Sequence, residues 1–273
     1  MNGQRIAFIG AGNMASNLIA GLINDGYDPR KIYASRPDAD KLVELAQRFN
    51  IHTSVDNVAV AKEVDVIVLC VKPLVLPTVV LEVAPAIASR KPLIISIAAG
   101  VRAELINQRL GFESAVVRAM PNIAAMVRSA ATALYANGNT SQEQREVAES
   151  IMRSVGVTVW VADEAKMDAV TALSGSGPAY FFLLIEAMQE AAQKLGLSES
   201  ESTLLSLQTA LGAARMALES PDSVIALREQ VTSPGGTTER AIKTLESGSL
   251  RKLVLDAMTA AMARAKELSH DSH

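Results

Sequence analysis

Residues 231–241 read VTSPGGTTERA, a polar stretch with paired glycines inside a region otherwise rich in Ala, Leu, Glu and Arg. Pro and Gly in a helix interior cost roughly 3 and 1 kcal/mol against Ala, so the interruption has a local purpose. One reading is a helix–helix turn with a good N-terminal cap. The other is an anion site, because a helix that begins after Gly235 and Gly236 leaves its first backbone N–H groups unpaired. Ser233 and the amides after Pro234 could then grip a carboxylate, and the hydroxyl of Thr237 or Thr238 could meet a nitrogen beside it. A second interruption, LSGSGPAY over 173–180, reads as a break between helices at 164–172 and 178–195. It offers Ser174 and Ser176 as donors to a ligand, and Tyr180 as either a general acid or a packed ring.

Other reactive groups are scarce. Of three histidines, His270 and His273 belong to a terminal HDSH, and His52 lies between a helix and a short turn. No Cys/His cluster has zinc spacing, so no metal is expected. Asp163, Glu164 and Asp168 read as a helix start, where acidic groups suit the dipole. This scarcity narrows the chemistry. Oxidising an alcohol or reducing a ketone calls for a residue that handles the hydroxyl proton, usually His, Lys or Tyr. A protonated imine accepts hydride and becomes an amine with no further proton needed in that step. Such a site mainly needs orientation and a reductant.

The elements that would place a reductant fill the first half. Strand-like runs at 5–10, 31–35, 64–71, 92–99, 115–120 and 157–161 alternate with helical patterns at 13–25, 38–49, 56–62, 74–89, 102–110 and 141–154. Strands apolar on both faces and separated by helices indicate a parallel sheet covered on two sides, a doubly wound α/β fold. Ser141 with Gln144 forms a capping box before the last of these helices. After the first strand comes GAGNMA (10–15), a G-x-G-x-x-A turn in the strand–turn–helix setting that a dinucleotide-binding, Rossmann-type sheet requires. Gly10 permits the tight turn, Gly12 lets the backbone approach a pyrophosphate, and Asn13 and Met14 open the helix.

Readers of NAD usually place Asp or Glu at the end of the second strand to hold the ribose 2′-hydroxyl. Here the sequence is Ala34-Ser35-Arg36-Pro37. A hydroxyl and a guanidinium suit a 2′-phosphate, so NADPH is expected over NADH, with NADH a weaker possibility. Asp38 is assigned to capping the next helix. Val71-Lys72-Pro73, Ala98-Ala99-Gly100 and Met120-Pro121-Asn122 end the third, fourth and fifth strands of this reading. Since ligands bind beyond the carboxyl ends of such strands, these residues outline a nicotinamide pocket, although each also serves as ordinary strand termination.

Beyond Asp163 the strand pattern stops. Helices are expected at 164–172, 178–195, 199–218, 223–230, 237–247 and 249–268, with Ser198 and Glu201 as a second capping box. The expected organisation is a dinucleotide-binding domain over 1–163 and a helical domain over 164–273. The breadth of apolar residues in TLLSLQTALGAARMAL (203–218) suggests burial against a second subunit, a homodimer. With 49% hydrophobic and 20% charged residues and a net charge of −3, the chain reads as a soluble globular protein. It has no basic run to suggest nucleic acid. Cys70 is the only cysteine, which excludes an internal disulfide and suits a reducing compartment. The apolar start runs straight into the glycine turn, unlike a signal peptide. The apolar stretch 64–83 is broken by Asp65, Lys72, Pro73, Pro77 and Glu82, so no membrane span and a cytoplasmic location are expected.

GAGNMA (10–15), VKP (71–73), AAG (98–100), DAVTALSGSGPAYFF (168–182) and VTSPGGTTERAI (231–242) together resemble the pyrroline-5-carboxylate reductases, along essentially the whole chain. The resemblance implies NAD(P)H-dependent reduction of 1-pyrroline-5-carboxylate to L-proline, the last step of proline biosynthesis. It also implies a helical C-terminal domain that interleaves with a partner, active sites formed between subunits, and in some members a decamer built from dimers. By motif, Ser233 and the backbone of Gly235, Gly236, Thr237 and Thr238 would bind the substrate carboxylate, with Thr238 bonded to the ring nitrogen. Ser35 and Arg36 would take the 2′-phosphate, and Asn57 would lie near the adenosine. The family often has a second Ser before the loop's Ser-Pro, where this chain has Thr232. Two alternatives remain. Hydroxyacid dehydrogenases share the architecture but carry a lysine a few residues after a Gly-x-Gly, where the count from Gly175 reaches Phe181. A dinucleotide sensor without turnover would keep GAGNMA but would not need the Ser-Pro-Gly-Gly-Thr-Thr loop.

Overall fold

A computed structural model of the chain describes residues 3–270, with side chains through Glu267; His273 and the side chain of His270 lie outside the described part. Short apolar runs form the sheet: β1 (Ile6–Ile9), β2 (Ile32–Ser35), β3 (His52–Ser54), β4 (Val66–Leu69), β5 (Leu93–Ser96), β6 (Val116–Met120), β7 (Ala130–Ala136) and β8 (Gly156–Trp160). Their order is β3-β2-β1-β4-β5-β6-β7-β8. The chain runs outward from β1 to β3 and then crosses back to β4, so strand order reverses beside β1. In doubly wound sheets this reversal opens the crevice that holds a dinucleotide.

Side chains alternate along each strand and both faces are covered. Ile6 and Phe8 join Val66, Val68, Ile95 and Val117 in one core, with Leu18 and Ile19 of α1 (Asn13–Asn24) and Ile151 and Met152 from near residue 150. Ala7 and Ile9 join Ile67, Leu69 and Ile94 in the other core. That side is built with α3 (Asn57–Ala61), α4 (Leu76–Ile87) and α5 (Ala103–Leu110); α2 (Ala39–Phe49) precedes them in the chain. The doubly wound α/β expectation therefore holds.

Two strands escape the sequence reading. β3 is only three residues long. β7 has the sequence AATALYA and lacks the β-branched density that marks a strand. Its burial decides the matter, since Ala130, Thr132, Ala133, Leu134 and Ala136 are all buried. β7 also corrects the expectation of an all-parallel sheet, because it pairs antiparallel with β6, Val117 facing Ala136 and Met120 facing Ala133.

Helix starts follow the caps read from the sequence. Asp38 accepts from the Lys41 amide at the start of α2, and both halves of the Ser141–Gln144 box begin α6 (Gln142–Arg153). The expected break at 173–177 is absent. From α7 (Lys166–Val170) the helix passes through a π turn over Thr171–Gly175, with the Ser176 amide on the Thr171 carbonyl at 2.8 Å, into α8 (Gly177–Lys194). Widening the helix by one residue accommodates the Ser-Gly-Ser-Gly run without ending it. Then come α9 (Glu199–Glu219), opened by the Ser198–Glu201 box, α10 (Val224–Gln230), α11 (Thr237–Ser247) and α12 (Leu250–His270).

By contacts, Gly177–Thr259 forms one compact unit and the other described residues form a second. In the helical unit α8 packs on α9. Yet no apolar side chain between 177 and 259 is buried, and Phe181, Leu204, Leu218 and Leu255 are 66%, 67%, 86% and 66% exposed. By length and composition alone, the segment Lys166–Lys194 would also suffice to cross a membrane, a feature the sequence reading did not single out.

Candidate active site

The turn after β1 is built around Gly10. Its φ is +85°, and a Cβ there would lie 2.5 Å from Val71 Cγ1, so glycine is required twice over. The Gly10 and Ala11 amides both donate to the Ser35 carbonyl at 2.9 Å, which ties this turn to the end of β2. Gly12 stands at the N-cap of α1 with no side-chain cap. The amides of Asn13, Met14 and Ala15 accordingly have no hydrogen-bond partner among the described residues. A helix start with three open donors beside a glycine turn suits a phosphate group.

Next to the turn lies a cleft of about 420 Å³. It gathers Asn13, Met14, Val71, Lys72, Pro73, Ala98, Ala99, Pro121 and Asn122 from four segments that are remote in sequence. Gly10, Gly12 and Gly100 do not line it; Gly100 has φ +79° in the turn after β5. Met120, named with Pro121 and Asn122, lines it as well, whereas sequence reasoning missed Asn17, Cys70, Ile97, Ile123, Met126 and Gly175, which also form its walls. Asn17 was findable, since it stands one helical turn after Asn13 on the same face. Gly175 was not, because it reaches the cleft only through the π turn. The Asn122 side chain fixes that turn by donating to the Ser174 carbonyl at 3.0 Å, while its own oxygen caps Ala124. Burial pushes the Cys70 thiol far up, so it is a neutral wall and not a nucleophile.

At the end of β2 the residues expected around the 2′-position are connected. Ser35 is fully buried, and its hydroxyl donates to Asn57 Oδ1 at 2.8 Å. Asn57 Nδ2 in turn donates to the Glu82 carboxylate at 2.9 Å. Arg36 folds over the glycine turn, Nη1 donating to the Ala11 carbonyl at 3.0 Å, with Nη2 3.7 Å from the Asp38 carboxylate. Its Nε is buried with no hydrogen bond. The charged face at this end is thus presented by Arg36, with Ser35 behind it. Glu82, on α4, had no sequence signal, because nothing in its spacing links it to β2.

Glu164 also departs from its expected place. Instead of a helix-start charge, it is the half-buried partner of the buried Arg118 in an ion pair at 3.0 Å, and the same oxygen accepts the Ala103 amide at 2.7 Å. Asp163 keeps the local role and accepts from the Ala165 amide.

In the helical unit, the loop before α11 is exposed at Ser233, Pro234, Gly235 and Thr237. Gly235 has φ +76°. The Gly236 amide donates to the Ser233 carbonyl at 3.0 Å, closing a turn, and the Gly235 amide donates to Glu239 at 2.8 Å. Gly236 is the N-cap, again without a side-chain cap. The amides of Thr237, Thr238 and Glu239 have no partner among the described residues. Of the backbone donors read from the motif, two are engaged within the loop and two face outward unpaired. Tyr180 is half-buried on α8.

Comparison with known proteins brings both halves together. A family model described as pyrroline-5-carboxylate reductase dimerisation matches residues 164–268, and one described as NADP oxidoreductase, coenzyme F420-dependent, matches residues 5–100. The pyrroline-5-carboxylate reductase of Pseudomonas aeruginosa is 47% identical over 98% of each chain. A solved pyrroline-5-carboxylate reductase from Coxiella burnetii is similar with a TM-score of 0.94 and 51% identity, covering 98% of this chain and 99% of that one. A Plasmodium falciparum pyrroline carboxylate reductase solved with NADP bound has a TM-score of 0.87 and 30% identity, with 98% and 99% coverage.

Proposed function

Because this chain belongs to the pyrroline-5-carboxylate reductase family, we propose that it reduces the C=N bond of 1-pyrroline-5-carboxylate with NAD(P)H, giving L-proline as the last step of proline biosynthesis. The observation that carries this is the pair of open helix starts. One, at α1, suits the phosphates of a dinucleotide, and the other, at α11, suits a carboxylate.

A bound reduced nicotinamide supplies the hydride that reaches the imine carbon. Everything else is asked of the chain's own residues. Asn13, Met14, Val71–Pro73, Ala98–Gly100, Pro121 and Asn122 form or border the cleft that holds the ring end, and Gly10 and Gly12 leave the pyrophosphate room. Ser233 and the Thr237 and Thr238 amides orient the substrate through its carboxylate, with Gly235 and Gly236 setting the loop's shape. Thr238 contributes its hydroxyl to the ring nitrogen. As the electron pair of the C=N bond collapses onto a protonated nitrogen, no residue has to deliver a proton. This accounts for the apolar Phe181 where hydroxyacid dehydrogenases carry a lysine.

NADPH over NADH is the expected preference, supported by Arg36 at the end of β2, by the NADP oxidoreductase match and by the NADP-bound relative. The working form is a cytoplasmic homodimer at least, in which a partner covers the exposed apolar helices of the dimerisation segment. Covering those helices also gives Lys166–Lys194 a role that needs no membrane. The test follows NADPH absorbance after adding 1-pyrroline-5-carboxylate, then NADP with 2- or 3-hydroxyacids. Consumption in the first case alone is expected. Turnover of hydroxyacids, or none in either case, would overturn the proposal.

A further inference from the structure

Two side chains tie the loop before α11 to its flanking helices: Thr232 donates to the Arg228 carbonyl at 2.6 Å on the α10 side, and Glu239 engages the glycine pair on the α11 side. Glu239 Oε2 accepts the Gly235 amide at 2.8 Å, and Lys243 Nζ holds the other oxygen at 2.9 Å. We propose that Glu239 is a positioning residue for substrate recognition, a clamp that turns the Gly235 amide inward and so leaves Ser233 and the amides at the start of α11 as the carboxylate receptor. The inference rests on the reading that this loop binds the substrate.

Three features support the clamp. Gly235 sits at φ +76° between Pro234 and a second glycine, a left-handed conformation that glycine adopts without strain and that no neighbouring side chain enforces by itself. Ser233, Pro234 and Gly235 are exposed, so burial does not hold them in place. The Gly236–Ser233 turn closes the loop on itself, whereas the Glu239 bond ties it to the body of α11. An orientation-dependent reaction cannot use a receptor that wanders by an ångström.

The clamp carries a charge of the same sign as the substrate. A bare carboxylate in the first turn would compete for, or repel, the incoming anion. Lys243 answers this by pairing with it one turn along the helix. The Lys243 ammonium, and next the Gly235 amide, hold the Glu239 carboxyl below the usual carboxylate range, so the clamp stays ionised at neutral pH. Glu239 and Lys243 thus form a neutral pair that fixes the loop without opposing its ligand.

Steady-state kinetics on the full-length enzyme separate this from a plain helix cap. Glu239→Ala should raise KM for 1-pyrroline-5-carboxylate about three- to tenfold, the loss of one charge-assisted hydrogen bond, with KM for NADPH unchanged. Glu239→Gln keeps an acceptor for Gly235 and should stay within about twofold of the parent. An unchanged substrate KM in Glu239→Ala, or an equal rise in both KM values, overturns the clamp. Hydrogen exchange on the unaltered enzyme gives an answer that needs no variant. The Gly235 amide should exchange more slowly than those of Thr237 and Thr238, and equal rates overturn the proposal. Ser233→Ala and Thr238→Ala distinguish the failures. If neither affects the substrate, the loop is not the receptor; if both do and Glu239→Ala does not, the clamp alone is wrong.

Discussion

The two compact units use apolar residues in opposite ways. In the sheet-bearing unit, Ile6, Phe8, Ile67, Leu69, Ile94 and their neighbours are sealed between helices. In the helical unit, between 177 and 259, not one apolar side chain is buried, although Phe, Leu and Met are frequent there. The first unit has therefore buried its hydrophobic surface internally. The second leaves its apolar surface exposed, and the stretch that carries it falls within the match to a family model described as pyrroline-5-carboxylate reductase dimerisation. A partner covering that surface would make the stability of the second unit depend on protein concentration, whereas that of the first is a property of one chain.

Experiments can break this contrast, beginning with the largest expected effect. Replacing Leu207 and Leu211, one turn apart on the exposed face of α9, with Glu should dissociate the oligomer. Burying each unpaired charge would cost on the order of 3 kcal/mol or more. Light scattering should then show monomers without activity, while the sheet-bearing unit stays folded. Within that unit, Glu164→Ala should lower unfolding stability by about 3–5 kcal/mol, because it strands the buried Arg118 guanidinium. Urea denaturation would measure the loss, and a loss below about 1 kcal/mol would show that the pair is effectively solvated.

Smaller effects sharpen the division of labour. Arg36→Ala should weaken NADPH about tenfold or more and NADH much less, a charge-assisted contact being worth about 1.5–3 kcal/mol. Equal losses in a titration of both cofactors would remove Arg36 as the phosphate reader. Thr238→Ala should lower turnover by a few-fold, about 0.5–1.5 kcal/mol, with cofactor affinity intact. The smallest effect concerns alkali. Tyr27, buried on the sheet-bearing unit beside Asp65 and Asp28, donates to the Gln4 carbonyl, and burial first and those carboxylates next push its pKa up to about 12 from 10.0. A raised folded-state value means the tyrosine's contribution is complete below pH 10 and is lost as pH climbs through about 12. Tyr27→Phe should flatten the fall in stability over that window.

The legibility of the chain follows the same division. Strands such as IAFI and VIVL and the caps at Asp38, Ser141 and Ser198 are written in local sequence, because periodicity and short-range hydrogen bonds create them. β7 was not legible, since AATALYA becomes a strand only between β6 and β8. Nor was the π turn, where Ser-Gly-Ser-Gly imitates a break but Asn122 and the helix on either side keep it wound.

By itself, the sequence determined the alternation of strands and helices, the glycine turn after β1, the open start of α11 and a shortage of proton-handling residues that points to imine chemistry. These are properties of neighbouring residues, set by backbone geometry and side-chain type. Only the tertiary structure decided that Glu82 reaches Asn57, that Ser35 lies behind Arg36, that Glu164 neutralises Arg118 and that Gly175 joins the cleft wall. The Glu82–Asn57 and Glu164–Arg118 contacts join residues 25 and 46 positions apart, Ser35 is turned away by its bond to Asn57 22 positions on, and Gly175 depends on an irregular turn, so no local preference encodes them. They exist because packing two layers of helices on the sheet brings together polar groups from distant elements.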